Sequence, residues 1–278
     1  MVEEVLLEAA RKGRAAQRAG TYRDEAGLLR CCVCHEPREM EIPGFSGLLP
    51  VTCSCIQHAE AEKEARRREE EARARARKSP FWTPGYGGMT FEADDNPDSE
   101  ASRRCRRYVR LWREAAGENL GLLFSGPLGT GKSFYAAAVV NALTALGVPG
   151  VMVSTARLVN LARASREPQG ILDDLNRFPL VALDDLGAER DTDFALEVLE
   201  SFVDARCLVS RPLLVTTNLS GKQLRNPADL RYARLFDRVL ALCPYPVLLT
   251  GASRRVKQEE ARRNRLRELL DSPEEQPG

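Results

Sequence analysis

The chain has 278 residues, and its 41 Lys and Arg residues nearly cancel its 40 Asp and Glu residues. This balance excludes a whole-molecule field that draws in DNA or an anionic membrane, so any such binding must come from local patches. No run of about 18 consecutive apolar residues is present, and the first residues, "MVEEVLLEAARKGR", place acids before a short apolar stretch. We therefore expect an untargeted, soluble, cytoplasmic protein that is long enough to bury a core.

The N-terminal residues carry a modest helical pattern. Val2, Val5, Leu6 and Ala9 recur at helical spacing, which predicts a helical hairpin or one broken helix over residues 1–29, with the break near Gly20.

Five of the eight cysteines follow within residues 31–55. Cys31-x-x-Cys34 and Cys53-x-Cys55 supply four thiolates, the number that a closed tetrahedral zinc site requires. Thiols clustered in a reducing compartment more often bind metal than form disulfides. A loop-rich segment this small also needs a metal to fold, which favours zinc over buried reduced thiols. The alternative ligands nearby are Cys32, His35 and His58.

Residues 60–78 are almost wholly charged or Ala, with strong helix propensity and no apolar stripe. They predict a solvated linker helix that ends at Ser79 and Pro80. Its basic end offers contacts to nucleic acid, although an exposed charged face is the more ordinary interpretation. Those basic residues are Arg73, Arg75, Arg77 and Lys78.

From residue 80 onward, short apolar runs alternate with helical patterns, which is typical of βαβ units and a parallel sheet covered on both faces. The class is therefore α/β. The candidate strands are residues 120–125, 151–155, 180–184, 213–217 and 247–250.

After the first of these runs comes "GPLGTGKS", a full match to the phosphate-loop pattern G-x-x-x-x-G-K-[ST]. Such a loop turns its N–H groups inward around the β-phosphate, at the positive end of the following helix. Lys132 is expected to reach the β- and γ-phosphates of ATP, and the Ser133 hydroxyl to hold Mg²⁺. The predicted nucleotide-binding residues are Gly126, Pro127, Leu128, Gly129, Thr130, Gly131, Lys132 and Ser133.

Polar residues end the third and fourth candidate strands. The third ends in Asp184 and Asp185, at the carboxyl edge of the sheet where ligands bind. Asp184 is the candidate Mg²⁺ partner, through water, and Asp185 is placed to orient or deprotonate the attacking water. The fourth strand ends in Asn218, whose neutral amide suits a hydrogen bond to the γ-phosphate or to that water.

These motifs, in this order and spacing, resemble the AAA+ ATPases of the DnaC/DnaI helicase-loader family over about residues 80–256. The quoted segments that carry the resemblance are "GPLGTGKS", "LDDLGAE", "TTNL", "ARLFDRV" and "GASRR". The resemblance implies a five-stranded sheet in the order 5-1-4-3-2. It also implies that Asn218 senses the γ-phosphate and that Arg255 is a second sensor. Arg238, with Arg234 as its companion, becomes an arginine finger that reaches the ATP of a neighbouring subunit.

Two features depart from the wider AAA+ pattern. Many of those proteins have Glu where this chain has Asp185. Because Asp has one methylene fewer, its carboxylate is withdrawn from the attacking water by about 1.5 Å, which predicts slow turnover. Only 28 residues follow Thr250, too few for a multi-helix lid, so closure depends on a neighbouring subunit. The predicted organisation is a helical and zinc-binding module (1–58), a charged linker helix (59–79) and an AAA+ domain with a minimal lid (80–278).

The function that the resemblance implies is DNA replication: an ATP-dependent loader places a replicative ring helicase on single-stranded DNA, and the N-terminal zinc module docks on the helicase. Candidate DNA contacts lie in the basic run of residues 103–113 and at Arg157, Arg163 and Arg166. The alternatives are an IstB-type transposition helper ATPase, a small-molecule P-loop kinase, and a zinc DNA-binding module with an inert ATPase.

Overall fold

The computed structural model describes residues 20–41, 43, 47–188, 192–251 and 253–271, with the side chains of residues 255–258 and 261 left aside. The chain divides into two compact units, Met1–Arg67 and Arg68–Gly278. The predicted helical residues Val2, Val5, Leu6 and Ala9 lie outside the described part of the chain.

The N-terminal unit contains two antiparallel hairpins. They pair β1 (Thr21–Arg23) with β2 (Leu29–Cys31) and β3 (Glu39–Glu41) with β4 (Leu48–Pro50). The helical prediction is therefore wrong for residues 21–29. The reason is a turn: the Asp24 carboxylate accepts hydrogen bonds from the amides of Ala26 and Leu28, and Gly27 has a left-handed φ of 78°. Such turn chemistry competes with a helix.

The second unit contains the five-stranded sheet and most of the helices. The strands are β5 (Leu122–Ser125), β6 (Gly150–Ser154), β7 (Leu180–Leu186), β8 (Leu213–Thr217) and β9 (Tyr245–Leu248). The helices, with α1 beginning in the first unit, are α1 (Ser54–Lys78), α2 (Pro84–Gly87), α3 (Glu100–Arg110), α4 (Trp112–Gly117), α5 (Lys132–Ala145), α6 (Thr155–Ala164), α7 (Pro168–Asn176), α8 (Asp193–Leu208), α9 (Gly221–Arg225), α10 (Ala233–Leu242) and α11 (Arg254–Asp271). Short 3₁₀ turns occupy Phe91–Ala93 and Leu230–Tyr232. Among the described residues, no helix is long and apolar enough to cross a membrane.

The sheet is parallel, with strands in the order β6-β7-β8-β5-β9. Counted from β5 as the first strand, this is the expected order 5-1-4-3-2, so the predicted α/β class and topology are confirmed. The five predicted strands are all present, within two residues of their expected starts and ends.

Alternate residues of β5, β6, β7 and β8 supply two hydrophobic cores, one on each face of the sheet. On β5, Leu123 joins the core formed with α6, α7, α8 and α10, whereas Leu122 and Phe124 join the core formed with α3 and α5. On β7, Leu183 and Ala182 divide in the same way. Because both faces of the sheet are covered, successive residues of either orientation are apolar, and the strands appear as continuous apolar runs in the sequence.

The charged helix is longer and less solvated than expected. Within the second unit, Ala72 and Ala76 of α1 are each 1% exposed, and Ala76 belongs to the core with Phe81. Arg75 lies 5.1 Å from the centre of the Phe178 ring. The prediction of a wholly solvated helix is wrong for these last turns, because alanines four residues apart form a flat face that packs closely without adding hydrophobicity to the sequence.

The buried side chain of Arg206 forms hydrogen bonds to both of the loops that precede β7 and β8. Arg206 of α8 is 0% exposed, and its guanidinium donates to the carbonyls of Phe178 (2.7 Å), Pro179 (2.9 Å) and Pro212 (2.6 Å). Phe178 and Pro179 precede β7, and Pro212 precedes β8. Burial lowers the pKa of Arg206 to about 9, and these carbonyl partners satisfy the planar fork of donors.

We expect Arg206→Ala to lower the free energy of unfolding by about 3 kcal/mol or more, because it removes the donors from buried carbonyls and leaves a cavity. Urea unfolding checks this value. Arg177→Ala is the control, since that side chain is 72% exposed in an ion pair with Asp174, and we expect it to change stability by less than about 0.5 kcal/mol. Equal stabilities for the two variants would contradict a structural role for Arg206.

Candidate nucleotide site and metal centre

The loop of residues 126–133 joins the end of β5 to the start of α5. Gly126, Gly129 and Gly131 have φ angles of 147°, 78° and 99°, in the region that side chains disfavour. A Cβ atom on Gly126 would lie 2.1 Å from the carbonyl oxygen of Leu249, so no other residue fits at that position without moving the adjacent edge of the sheet. The backbone therefore curls at the N-terminus of α5, where amides and the helix dipole favour an anion.

Lys132 is the first residue of α5 and is 5% exposed. Its ammonium donates to the carbonyls of Gly126 (2.9 Å) and Pro127 (2.8 Å) within the loop. The Thr130 hydroxyl also donates to the Pro127 carbonyl, at 2.9 Å. The Lys132 ammonium, which the sequence predicts to bind phosphate, is thus hydrogen-bonded to carbonyls of the loop itself.

The loop borders a cleft of about 450 Å³. This cleft brings together residues from separate parts of the sequence, including most of the predicted site. Its lining includes Gly129, Gly131, Lys132, Ser133, Asp185, Asn218 and Arg254. Parallel strands place their carboxyl ends at one edge of a sheet, which is why the ends of β7 and β8 meet the loop here.

Asp184 immediately precedes the cleft residue Asp185 in β7 and is 3% exposed. Thr216 donates its hydroxyl to one carboxylate oxygen of Asp184 at 2.6 Å, and Tyr86 donates its phenol to the other at 2.9 Å. Burial and the nearby carboxylate of Asp184 raise the pKa of Tyr86. A buried carboxylate needs such donors, and here they fix its orientation.

Asp185 has a left-handed backbone, with φ at 59°, at an irregularity in the pairing of β7 with β8. Its amide donates to the Thr216 hydroxyl (2.9 Å), and its carbonyl accepts from the Thr155 hydroxyl (3.0 Å). Short polar side chains such as Asp occupy this backbone region more readily than most residues. The backbone therefore gives a physical reason for Asp, rather than the longer Glu, at this position.

At the start of α11, Arg254 is the arginine that lies in the cleft. It pairs with Asp94 (3.2 Å) and Asp95 (3.1 Å) and donates to the Tyr135 hydroxyl at 2.7 Å. The sequence pattern selects the next residue, Arg255, whose side chain lies outside the described part of the chain. The "GASRR" segment contains two adjacent arginines, and the described part of the chain places the first of them, Arg254, in the cleft.

Arg238 and Arg234 lie one turn apart on α10. Both pair with Asp204 of α8, and the Arg234 ion pair measures 3.0 Å. The Arg238 side chain is 33% exposed, so its charge is partly accessible while a carboxylate holds its position.

The predicted DNA contacts Arg157 and Arg163 are exposed but also contact other residues of the chain. Arg157 donates to the Pro80 carbonyl at 2.7 Å, and the Arg163 guanidinium lies 5.3 Å from the centre of the Phe194 ring. Arg166 is exposed. In the basic run, Arg106 packs 4.7 Å from the centre of the Phe91 ring. Several of these arginines thus have structural contacts, and their role towards DNA stays a prediction.

In the N-terminal unit, the side chains of Cys31, Cys34, Cys53 and Cys55 form a cluster whose sulfur atoms all lie within 4.8 Å of one another. Zn–S bonds of about 2.3 Å in a tetrahedron require sulfurs about 3.8 Å apart, so the cluster fits a four-thiolate site. The Cys31–Cys55 and Cys53–Cys55 sulfur distances are 3.4 and 3.3 Å. The cluster is a candidate metal centre.

The surroundings favour a thiolate at Cys31, whereas hydrogen bonds from the Cys53 and Cys31 sulfurs raise the pKa of Cys55 to about 12. The amides of Cys34 and Val33 lower the pKa of Cys31 to about 6, and Arg38 places a guanidinium nitrogen 3.8 Å from the Cys53 sulfur. Of the alternative ligands, Cys32 is exposed and His35 shares a hydrogen bond of 3.1 Å with the Tyr22 hydroxyl. Neither these two residues nor His58 belongs to the cluster.

Sequence reasoning missed three residues of the nucleotide site. Thr216 precedes Asn218 by two positions at the end of β8, and the polar residues at this strand end are the sequence feature that could have indicated it. Arg254 lines the cleft one position before the predicted Arg255, whose role stays a prediction. Tyr86 lies 98 residues before Asp184, and nothing in the sequence connects the two.

A loop with the phosphate-loop pattern after the first strand and an acid pair in the third, in a 5-1-4-3-2 sheet, form the fold and the motif arrangement that are typical of AAA+ P-loop domains. The chain is similar to the replicative helicase loader DnaI of Bacillus subtilis, with 27% identity over 184 residues that cover 60% of this chain and 58% of the loader. It is also 26% identical to the replicative helicase loader DnaC of Escherichia coli over 144 residues, which cover 50% of this chain and 56% of DnaC. The matches thus span little more than half of either relative, and no protein-family model matches the chain.

The crystal structure of DnaI has the same fold, with a TM-score of 0.52 and 23% identity over 63% of this chain and 94% of that one. The resemblance to DnaC/DnaI-type loaders that the motifs indicate is therefore confirmed. The roles of the individual site residues stay predictions.

Proposed function

We propose that the protein is an ATP-dependent loader that places a replicative ring helicase on single-stranded DNA, and that ATP binding and slow hydrolysis control assembly and release. The main support is the convergence of Lys132, Asp185, Asn218 and Arg254 on one cleft. The similarity to proteins described as replicative helicase loaders supports a replicative helicase as the partner that is loaded.

In this proposal the loop amides and Lys132 hold the phosphates of ATP. Ser133 and Asp184 hold Mg²⁺, for which hydroxyl and carboxylate oxygens are suitable ligands, with Asp184 acting through water. Bound Mg²⁺ supplies neutralisation of the phosphate charge. Asp185 orients the attacking water from a short side chain, which keeps turnover slow. Asn218 and Arg254 sense the γ-phosphate, and Arg255 stays the alternative that the motif predicts.

Subunit assembly completes the pocket. Arg238 is the proposed finger, because a guanidinium presents a planar pair of donors to phosphoryl oxygens. Asp204 holds its side chain in place within the subunit, and a neighbouring subunit's ATP provides the second partner. Arg234, which shares Asp204, acts as its companion.

The N-terminal unit is proposed to bind zinc through its four-cysteine cluster and to dock on the helicase. Arg157, Arg163, Arg166 and the basic run of residues 103–113 are proposed to face single-stranded DNA. Such a protein acts in the cytoplasm, where thiols stay reduced and available for metal.

Lys132→Ala is expected to reduce nucleotide affinity and to abolish ATP-dependent helicase deposition on single-stranded DNA, because the phosphates lose their cationic partner. Deposition is measured as DNA-bound hexameric helicase in the presence of ATP. Lys222→Ala on α9 is a matched control, because this lysine is exposed and lies outside the cleft lining.

Wild-type deposition by the Lys132→Ala variant would contradict the mechanism. Purification with a transposase in place of a hexameric helicase would favour the IstB-type function. Transfer of phosphate to a small acceptor by a monomer would favour a kinase.

Arg238→Ala is expected to lower ATP hydrolysis by the assembled protein about 10³-fold or more if the finger acts in trans. Mixing Arg238→Ala with Lys132→Ala chains should restore part of the activity, because the second chain presents its arginine to ATP held by the first. Steady-state hydrolysis measures both effects, with Arg177→Ala as the exposed arginine control. A mixture no more active than its components would contradict action in trans.

Purified wild-type protein is expected to contain about one zinc ion per chain, and Cys53→Ser to lose it, because Cys53 is 1% exposed within the cluster. Elemental analysis by mass spectrometry measures the content. Cys32→Ser is the matched control, since Cys32 is exposed outside the cluster, and it should retain zinc. Equal zinc content in the two variants would overturn the ligand assignment.

A further inference from the structure

The short helix α2 carries an aromatic side chain into the nucleotide site from outside the sheet. Pro84 begins this helix and fixes its first backbone angle, and the Tyr86 amide donates to the Thr83 carbonyl at 3.1 Å. The Tyr86 phenol then donates to one carboxylate oxygen of Asp184 at 2.9 Å. The sequence motifs of the site do not include this contact.

A second anchor links the same turn to the phosphate loop. Asn141 of α5 donates through its side-chain amide to the carbonyls of Tyr86 (2.9 Å) and Met89 (2.8 Å). The helix that begins at Lys132 therefore also holds the backbone of Tyr86. Asn141 and Tyr86 together connect the loop to Asp184 through side chains rather than through the sheet.

Each carboxylate oxygen of Asp184 accepts one hydrogen bond, from Thr216 at 2.6 Å and from Tyr86 at 2.9 Å. A carboxylate oxygen has a second lone pair, so these donors leave acceptor capacity for a metal-bound water. Two donors on opposite oxygens also stop rotation of the group. The Tyr86 phenol thus orients the Asp184 carboxylate and leaves a lone pair on each oxygen free to accept a further hydrogen bond.

We propose that Tyr86 is a positioning residue for Mg²⁺ binding: its phenol holds Asp184 in the orientation that receives the metal's water. This inference rests on the proposed ATP and Mg²⁺ site. Partners of this kind around metal ligands typically change metal affinity about 10-fold to 100-fold when removed. A phenol that competed with the metal would have the opposite effect, because its removal would free the carboxylate.

The test compares Tyr86→Phe with Tyr108→Phe. The control removes the same hydroxyl from a phenol that is 9% exposed and donates to the Leu120 carbonyl at 2.8 Å, away from Asp184. Calorimetry measures ADP affinity of the full chain in EDTA and across a MgCl₂ titration. We expect Tyr86→Phe to raise the half-saturating Mg²⁺ concentration about tenfold and to leave ADP affinity in EDTA unchanged. Tyr108→Phe should leave both values at those of the wild type.

An unchanged or lower half-saturating Mg²⁺ concentration in Tyr86→Phe would overturn the inference. An equal loss of ADP affinity with and without Mg²⁺ would also overturn it, because that pattern marks a general structural effect. Wild-type protein without ADP affinity would overturn the proposed nucleotide function itself. In an Asp184→Ala background, Tyr86→Phe should add no further change, since the two groups act through one contact.

Discussion

The structure depends on the close approach of backbone to backbone at the end of β5. Gly126 lies so near the Leu249 carbonyl that a Cβ atom would be 2.1 Å from it. This contact keeps the loop against the adjacent edge of the sheet and directs α5 back across the strands. The positive end of α5, Asp185 of β7 and Asn218 then share one cleft. The glycines of the motif are a steric requirement of the fold as well as of the proposed phosphate binding.

A second constraint is the burial of the Asp184 carboxylate, one position before the cleft residue Asp185. The Asp184 carboxylate is almost inaccessible to water and relies on Thr216 and Tyr86 for hydrogen bonds. The Thr216 hydroxyl also accepts from the Asp185 amide, so one side chain orders both acids. The polar residues at the end of β8 therefore shape the acid pair as well as line the pocket.

Three arginines of the second unit show how surroundings determine the role of one chemical group. Arg206 is fully buried among carbonyls and organises loops. Arg254 lies in the cleft between aspartates and aromatic rings, whereas Arg238 is partly exposed beside Asp204. Burial and the partner's charge, rather than residue type, separate a structural arginine from one available to a nucleotide.

The sequence by itself determined the α/β class, the phosphate loop, the acid pair and the four-cysteine cluster. Each is a local pattern, in which strand runs, glycine spacing or Cys spacing within a few residues carry the chemistry. The four clustered cysteines were recognised from two short motifs, although their meeting in space depends on the hairpins.

Only the tertiary structure decided which side chains complete the site. Tyr86 reaches Asp184 across 98 positions, and the presence of Arg254 in the cleft depends on where α11 begins. The burial of Ala72 and Ala76 likewise depends on a partner surface that the helix sequence does not encode. Contacts between distant segments arise from packing, which no short window of sequence contains, whereas a strand or a loop is specified by its own residues.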